Sequence, residues 1–339
     1  MTTDEIEYIL EMWPLSDNTN DHLSSHHLLL RDRVRNEAFR RAIRRVVRPG
    51  DVVLDVGAGT GILSAFALEA GARHVYLVEA VDILSCAQKI LRRSGWSRRV
   101  TLIRGKAENI SYKGGKVDAI LIELIGSFGV DENILDVLPP VRNQVLRDGG
   151  SIIPQRLRLL VAPVAHASFE RELRLYRSVR YGVDLSPLAA LADNNVYLIN
   201  LRTADLLAEP QQLMEFDLLT CRQSRFDRHV HFTIHRRGRL IGFAGWFEVD
   251  LCEGMELSNS PKTNQTHWDQ VLFPVGESVS VRSGDSVSFR LRYGTPSGVD
   301  EWTWSGALRT RQAQRRFRFS SEKRFPLVRV PSHTTLRID

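Results

Sequence analysis

Apolar positions along the chain fall into three successive patterns. Residues 3 to 48 space them three and four apart, which predicts helices, with a turn near Pro14 to Asn20 and a strongly charged helix from about His26 to Val47. Short apolar runs then alternate with helical spacing, and strands are expected near 52–56, 74–79, 100–104, 117–123 and 150–153. That alternation is the signature of an α/β unit with a doubly wound parallel sheet. After Gly149-Gly150 and Pro154 the character changes. Leu157 to Val161, Val230 to Ile234, Leu240 to Val249, Val271 to Phe273, Val279 to Val281 and Val287 to Tyr293 are strand-like runs separated by turns, as in an antiparallel barrel or sandwich. A helical stretch at about 166–195 interrupts them, and no internal repeat is visible. The expected organisation is N-terminal helices over 1–48, a parallel-sheet domain over 49–153 and an antiparallel domain over 154–339.

A chain of 339 residues exceeds what one core usually supports, which agrees with two domains. No run approaches 18 uninterrupted apolar residues, and Asp4, Glu5 and Glu7 stand where a secretory signal would be basic, so a cytoplasmic enzyme is expected. Cys86, Cys221 and Cys252 form no C-x-x-C pair, which suits reduced thiols and argues against structural zinc. The net charge is +6, and only six of the 46 basic residues are lysine, a skew that points to a GC-rich, bacterial coding sequence. The basic run Arg315-Arg316-Phe317-Arg318-Phe319 interleaves cations with aromatics, but an amphipathic strand with one solvated face has the same pattern, so nucleic acid is not an expected partner.

Val52 to Val56 runs straight into Gly57-Ala58-Gly59-Thr60-Gly61, a strand ending in a G-x-G-x-G turn. Glycines there permit positive φ and let a ligand approach the backbone. A dinucleotide site would want its third glycine three positions after the second, where Ile62 stands; the early Gly61 argues against NAD or FAD. Glu79 ends the next apolar run, 24 residues after Asp55, where a carboxylate can meet ribose hydroxyls. A nucleoside without a pyrophosphate fits best, and S-adenosyl-L-methionine, leaving as S-adenosyl-L-homocysteine, is such a cofactor.

Further along, Glu123-Leu124-Ile125-Gly126-Ser127-Phe128-Gly129-Val130-Asp131-Glu132 is similar to the two-glutamate loop of the protein arginine methyltransferase family. Leu257-Ser258-Asn259-Ser260-Pro261 followed by Thr266-His267-Trp268 is similar to that family's T-H-W loop. Tyr181-Gly182-Val183-Asp184-Leu185-Ser186 resembles its dimerisation arm, and Arg31-Asp32-Arg33-Val34-Arg35 its N-terminal helix. With the glycine turn these make five matches in order. The resemblance implies an S-adenosylmethionine-dependent arginine N-methyltransferase, a β-barrel substrate domain, and a homodimer through the arm.

The clamp can also be argued from chemistry. Arginine stays cationic and presents a planar fork of donors, so a site that holds it needs carboxylates on its edges, a role open to Glu123 and Glu132. Two such carboxylates repel each other when buried, and a guanidinium offsets that repulsion. By resemblance, Arg35 pairs with the methionine carboxylate of the cofactor, Glu79 takes the ribose, Glu108 accepts from the adenine amino group, His26 lies near the cofactor tail and Trp268 contacts the substrate. Asp32 and His267 are expected as a pair bridging helix and barrel, either catalytic or structural. The family also joins its domains through a cis-proline, here Pro154. His229, His231 and His235 could share a strand face, but no further ligands accompany them and no metal is expected.

Leu29 and Ile134 replace methionines found in members that make asymmetric dimethylarginine, and Leu124 to Gly129 is more similar to the symmetric branch, whereas T-H-W is similar to the asymmetric one. The tyrosine-rich element expected before the N-terminal helix is missing; residues 16 to 20 read Ser-Asp-Asn-Thr-Asn. A +6 enzyme gains no long-range steering toward cationic, arginine-rich chains, which favours free L-arginine or another small guanidine in bacterial specialised metabolism. Protein-bound arginine is the alternative; methyl transfer to another nitrogen or oxygen, or a non-catalytic cofactor-binding module, are the more distant ones.

Overall fold

The computed structural model describes residues 19–109, 114–294, 302–310, 314–321 and 328–329. The helix expected from residue 3 and most of the turn near 14–20 lie outside them. The charged helix expected from His26 to Val47 is two helices, α1 (Thr19–Arg31) and α2 (Arg33–Val46). Asp32 breaks them: its backbone is extended, at φ −70° and ψ 92°, and its carboxylate accepts a hydrogen bond from the Arg35 N–H at 2.8 Å, capping α2. Periodicity missed the break because α2 buries Arg35, Ala38, Phe39, Ala42 and Ile43 on a continuous helical stripe.

The parallel sheet comprises β1 (Val52–Val56), β2 (His74–Glu79), β3 (Val100–Arg104), β4 (Val117–Ile122) and β5 (Leu146–Ile153), in the order β3-β2-β1-β4-β5. Helices α3 (Ile62–Glu69), α4 (Leu84–Arg93) and α5 (Ile134–Val145) make the crossovers. β1 is buried at every position, as a central parallel strand covered on both faces should be. β5 starts four residues before its expected bound; Arg147 to Gly149 are exposed, and hydrophobicity alone does not reveal a solvated strand end. The Ile153–Pro154 peptide bond is cis and leads into β6 (Arg156–Val164).

Between β6 and the next long strands lie α6 (Ala167–Leu175), a two-stranded hairpin of β7 (Val179–Arg180) and β8 (Val183–Asp184), α7 (Ala189–Asp193) and β9 (Tyr197–Ile199). The stretch expected as helical over 166–195 thus contains a hairpin, turned at Tyr181 and Gly182, which both have positive φ. The remaining strands are β10 (Gln211–Asp217), β11 (Phe226–Thr233), β12 (Gly238–Cys252), β13 (Met255–Ser258), β14 (Gln270–Val281), β15 (Ser286–Tyr293), β16 (Trp302–Arg309), β17 (Gln314–Ser320) and β18 (Val328–Arg329). The two runs expected at 271–273 and 279–281 are one strand, β14, whose register with β12 shifts between Leu240 and Gly242.

These strands form a seven-stranded sheet, β10-β6-β12-β14-β9-β18 with β13 on β12, and a four-stranded sheet, β11-β15-β16-β17. Except for β18 on β9, the pairings are antiparallel. The sheets meet through rings: Phe243 of β12 stacks on Phe289 of β15 at 4.4 Å, and the Trp304 indole donates to the Pro274 carbonyl at 2.7 Å. One buried apolar core runs from Phe39 and Val53 through Phe128 and Leu157 to Phe243 and Trp304, so the parallel and antiparallel layers share their packing. Among the described residues no helix is long and apolar enough to cross a membrane.

Candidate active site

In a sheet of order β3-β2-β1-β4-β5 the direction of winding reverses between β1 and β4, and ligands bind at the carboxyl ends of the strands there. The loops after β1 and β4 are the glycine turn and the two-glutamate loop. The topology therefore brings the two most informative motifs of the sequence together. Gly57, Gly59 and Gly61 all have positive φ. A Cβ on Gly57 would lie 2.8 Å from Leu124 Cδ2 and one on Gly59 2.5 Å from His26 Cε1, so the turn admits glycine there for space as well as for backbone conformation.

A cavity of about 620 Å³ opens over this crevice, lined by His26, Gly57, Glu79, Glu108, Glu123, Glu132, His267 and Trp268 together with Leu29, Lys106 and Asp136. Its size suits a nucleoside-containing cofactor beside a small reacting group. The Glu79 carboxylate is aimed by three backbone donors: Gly59 N–H at 2.9 Å, Ala80 N–H at 2.7 Å and Val81 N–H at 3.1 Å. A fixed carboxylate at the end of β2 is the group a ribose diol requires, and the residues present fit S-adenosylmethionine. Glu108 sits on a single 3₁₀ turn, Ala107–Asn109. Asp55 does not line the cavity. It lies beneath the turn, 1% exposed, accepting from the Ser64 hydroxyl at 2.6 Å, while its Oδ1 has no hydrogen-bond partner. Burial pushes its carboxyl up to about 6 despite the Ser64 bond, and its position is that of a brace under the turn.

The two-glutamate loop is held from the antiparallel side by three donors that sequence reasoning missed as a set. The Trp268 indole N–H donates to Ile125 O at 2.7 Å, the Asn259 amide to Ser127 O at 2.8 Å and the Tyr293 hydroxyl to Val130 O at 3.2 Å. Asn259 is 2% exposed; its amide also donates to Asp269 O at 2.7 Å and accepts from Phe247 N–H at 2.9 Å. A buried polar group so fully satisfied fixes one loop geometry. An asparagine between serines and a proline reads as a solvated turn, and only its proximity to T-H-W could have singled it out. Within the loop, Phe128 N–H donates to Asp131 at 2.8 Å, and Gly126 has no room for a side chain beside Asp131.

Glu123 and Glu132 both face the cavity, and their charges interact. The Arg35 guanidinium grips Glu123: Nε donates to Oε2 at 2.9 Å and Nη2 to the same oxygen, with both side chains almost fully buried. Arg35, expected at the cofactor carboxylate, is engaged here with Glu123 and with Asn36 Oδ1, at 2.7 Å. Glu132 has no such cation. Burial first, then repulsion from Glu123 and Asp131, push its carboxyl up to about 8, against a smaller attraction from Arg35. Burial and these neighbours thus favour the protonated form of Glu132.

Asp32 and His267 meet as expected. Asp32 Oδ2 accepts the His267 backbone N–H at 2.9 Å and lies 2.8 Å from Nδ1, while Oδ1 caps α2. Burial tends to raise the Asp32 carboxyl, but the bonds from His267 and the Arg35 backbone outweigh it and hold it below the usual carboxylate range. An ionised acceptor fixes the tautomer, with Nδ1–H toward Asp32. One aspartate thus fastens α2 to the loop carrying Trp268. By contrast, His229 and His231 touch ring to ring on β11, and His235 lies past its end; among the described residues no group of three potential ligands could hold a metal.

The fold and this site define an S-adenosylmethionine-dependent methyltransferase, and comparison with known proteins identifies its kind. Residues 155–297 match the arginine methyltransferase oligomerization subdomain and residues 53–150 a methyltransferase domain. Protein arginine N-methyltransferase 1 of Saccharomyces cerevisiae is 31% identical over 283 residues, 81% of each chain. Protein arginine N-methyltransferase 6 of Xenopus tropicalis is 33% identical over 281 residues, 78% of this chain and 82% of that one. The fold matches the Trypanosoma brucei PRMT1 enzyme-prozyme heterotetrameric complex with AdoHcy at a TM-score of 0.81 and 23% identity, over 89% of this chain and 100% of that one. It matches Arabidopsis thaliana protein arginine methyltransferase 10 at 0.75 and 25%, over 88% and 98%. The chain belongs to the protein arginine methyltransferase family and is an S-adenosylmethionine-dependent arginine methyltransferase.

The proton on Glu132 has a consequence for stability. Between its ordinary value of 4.5 and about 8 the folded protein holds a proton that the unfolded chain has released, so stability falls as pH rises through that window. Glu132→Gln removes this contribution, and urea midpoints measured across the range are expected to decline less steeply in the variant. Parallel profiles for the two proteins would contradict the assignment.

Proposed function

We propose that the chain methylates a guanidino nitrogen of arginine residues within polypeptides, with Glu123 and Glu132 as the clamp. One observation carries the recognition half of this reading: a guanidinium, that of Arg35, is already bonded to Glu123 at the cavity wall. The polypeptide half rests on the relatives, which are named for protein arginine. The net charge of +6 favours a small substrate, but beside the Arg35-paired Glu123 the cavity carries Glu79, Glu108 and Asp136 against Lys106, so the local field favours a cation whatever the overall balance.

The cofactor supplies an electrophilic methyl group on a sulfonium. Glu79 would hold the ribose, Glu108 the adenine amino group, and His26 would pack beside the tail over Gly59. Arg35 would exchange Glu123 for the cofactor carboxylate, releasing Glu123 to a substrate guanidinium. The two carboxylates then accept hydrogen bonds from the edges of the planar cation, and Trp268, wedged against Phe247 at 5.0 Å, keeps the loop from yielding. Polarising the guanidinium toward the carboxylates leaves the free nitrogen more nucleophilic, and alignment with fixed charges supplies most of the acceleration. The proton released on methylation passes to a carboxylate of the pair or, through His267, to solvent.

We also infer a homodimer through the arm. Val179, Tyr181 and Val183 are 66%, 98% and 58% exposed on the hairpin, with Leu188 and Leu191 also open beside it. An apolar projection of this kind is stabilised by covering it. Glu123→Gln is expected to lower kcat/KM by about 100-fold or more with S-adenosylhomocysteine affinity nearly unchanged; undiminished turnover would remove the clamp. Offered an arginine-rich peptide and free L-arginine in parallel, the enzyme is expected to favour the peptide, and mass analysis of products decides it. Light scattering should give twice the chain mass, and the chain mass for Val179→Asp with Val183→Asp; an unaltered mass would count against the arm.

A further inference from the structure

The outer face of the four-stranded sheet carries a second, unrelated feature. Cross-strand register places Asp227 opposite Arg292, His229 opposite Arg290, Ser305 between Arg290 and Arg318, and Ala307 between Ser288 and Arg316. The result is a trough of about 910 Å³ over β16, floored by Ser305, Gly306 and Ala307 and walled by Arg290 on β15 and Arg316 and Arg318 on β17. Its flanking aromatics turn the other way: Phe317 is buried against Phe243, and Phe319 packs toward Trp304. The methyl-transfer cavity is built on the parallel sheet's crevice and shares no lining residue with this trough.

The face already binds one carboxylate. Arg290 holds Asp227 with two bonds of 2.7 Å, and Arg292 adds a third and fourth at 3.2 and 3.0 Å. Hydrogen bonds from Arg290 and then Arg292, against a smaller effect of burial, depress the Asp227 carboxyl to about 2. Arg316 and Arg318 are exposed and, among the described residues, have no hydrogen-bond or ion-pair partner. Neighbouring strands lie about 4.8 Å apart, so walls two strands apart leave roughly 10 Å, the width of one extended chain and half that of a duplex. Along β17 the two arginines repeat at about 6.8 Å, the spacing of alternate side chains on an extended polypeptide. A single-stranded nucleic acid would want successive aromatic platforms for its bases; the Phe317 ring is buried against Phe243, and the ring the trough presents, that of His229, sits on the edge strand against His231.

We propose that this trough is a docking surface for an extended acidic polypeptide segment, with carboxylates on alternate residues meeting Arg316 and Arg318. The test is fluorescence anisotropy of the full chain with a labelled peptide of alternating glutamate and serine, beside a single-stranded oligonucleotide of equal charge. Wild type is expected to bind the peptide at low salt and to lose it as salt rises. The pair Arg316→Glu and Arg318→Glu should weaken binding at least about tenfold with methyl transfer to small substrates unchanged. Should melting show that pair to be unfolded, Arg316→Gln with Arg318→Gln carries the comparison. No peptide binding, binding indifferent to the folded variant, or tighter binding of the oligonucleotide would each overturn the proposal.

Discussion

Two carboxylates share the wall of one cavity, and the cost of keeping both there shapes everything around them. Glu123 is paired from within by Arg35, and burial beside Glu123 and Asp131 favours a proton on Glu132. Neither solution is as good as a flat cation bonded to both, because a proton cannot satisfy four acceptor sites and Arg35 reaches one oxygen. In the proposed clamp, affinity for a guanidinium would be stored in the folded chain as unsatisfied electrostatics.

Holding that loop is work for the rest of the molecule. The switch point between β1 and β4 sets the glycine turn beside it, while donors from Trp268, Asn259 and Tyr293 take the carbonyls of Ile125, Ser127 and Val130 from the other side. Asp32 closes the arrangement by binding His267 and capping α2, the helix that delivers Arg35 to Glu123. A break between two helices, an aspartate and a buried ion pair are thus one device. The antiparallel half of the chain serves as the mould in which the acidic loop is set.

Much of this was legible in the residues themselves. The five parallel strands and the glycine turn stood out because a buried parallel strand is a continuous apolar run and a close ligand approach demands glycine. That Glu123 and Glu132 line one cavity was legible from their loop, which follows the strand at the switch point of the sheet. What could not be read was local competition: Asp32 ending a helix whose apolar stripe continues, Tyr181 and Gly182 turning a hairpin in a stretch of helical spacing, and β14 joining two runs across a register shift. Asn259 and Tyr293 stayed hidden because their role depends on carbonyls more than a hundred residues away. The contact of Arg35 with Glu123 stayed hidden for a similar reason: a sequence pattern indicates which residues gather, while the pairing among them is decided by distance.

A proton held on Glu132 must leave when a guanidinium arrives at the pair. Calorimetry of an arginine substrate binding near pH 7 with S-adenosylhomocysteine present, repeated in buffers of different ionisation enthalpy, counts the protons exchanged. The account requires net release of protons to the buffer from the wild-type enzyme and a smaller release from Glu132→Gln. Heats independent of the buffer, with binding intact, would contradict it.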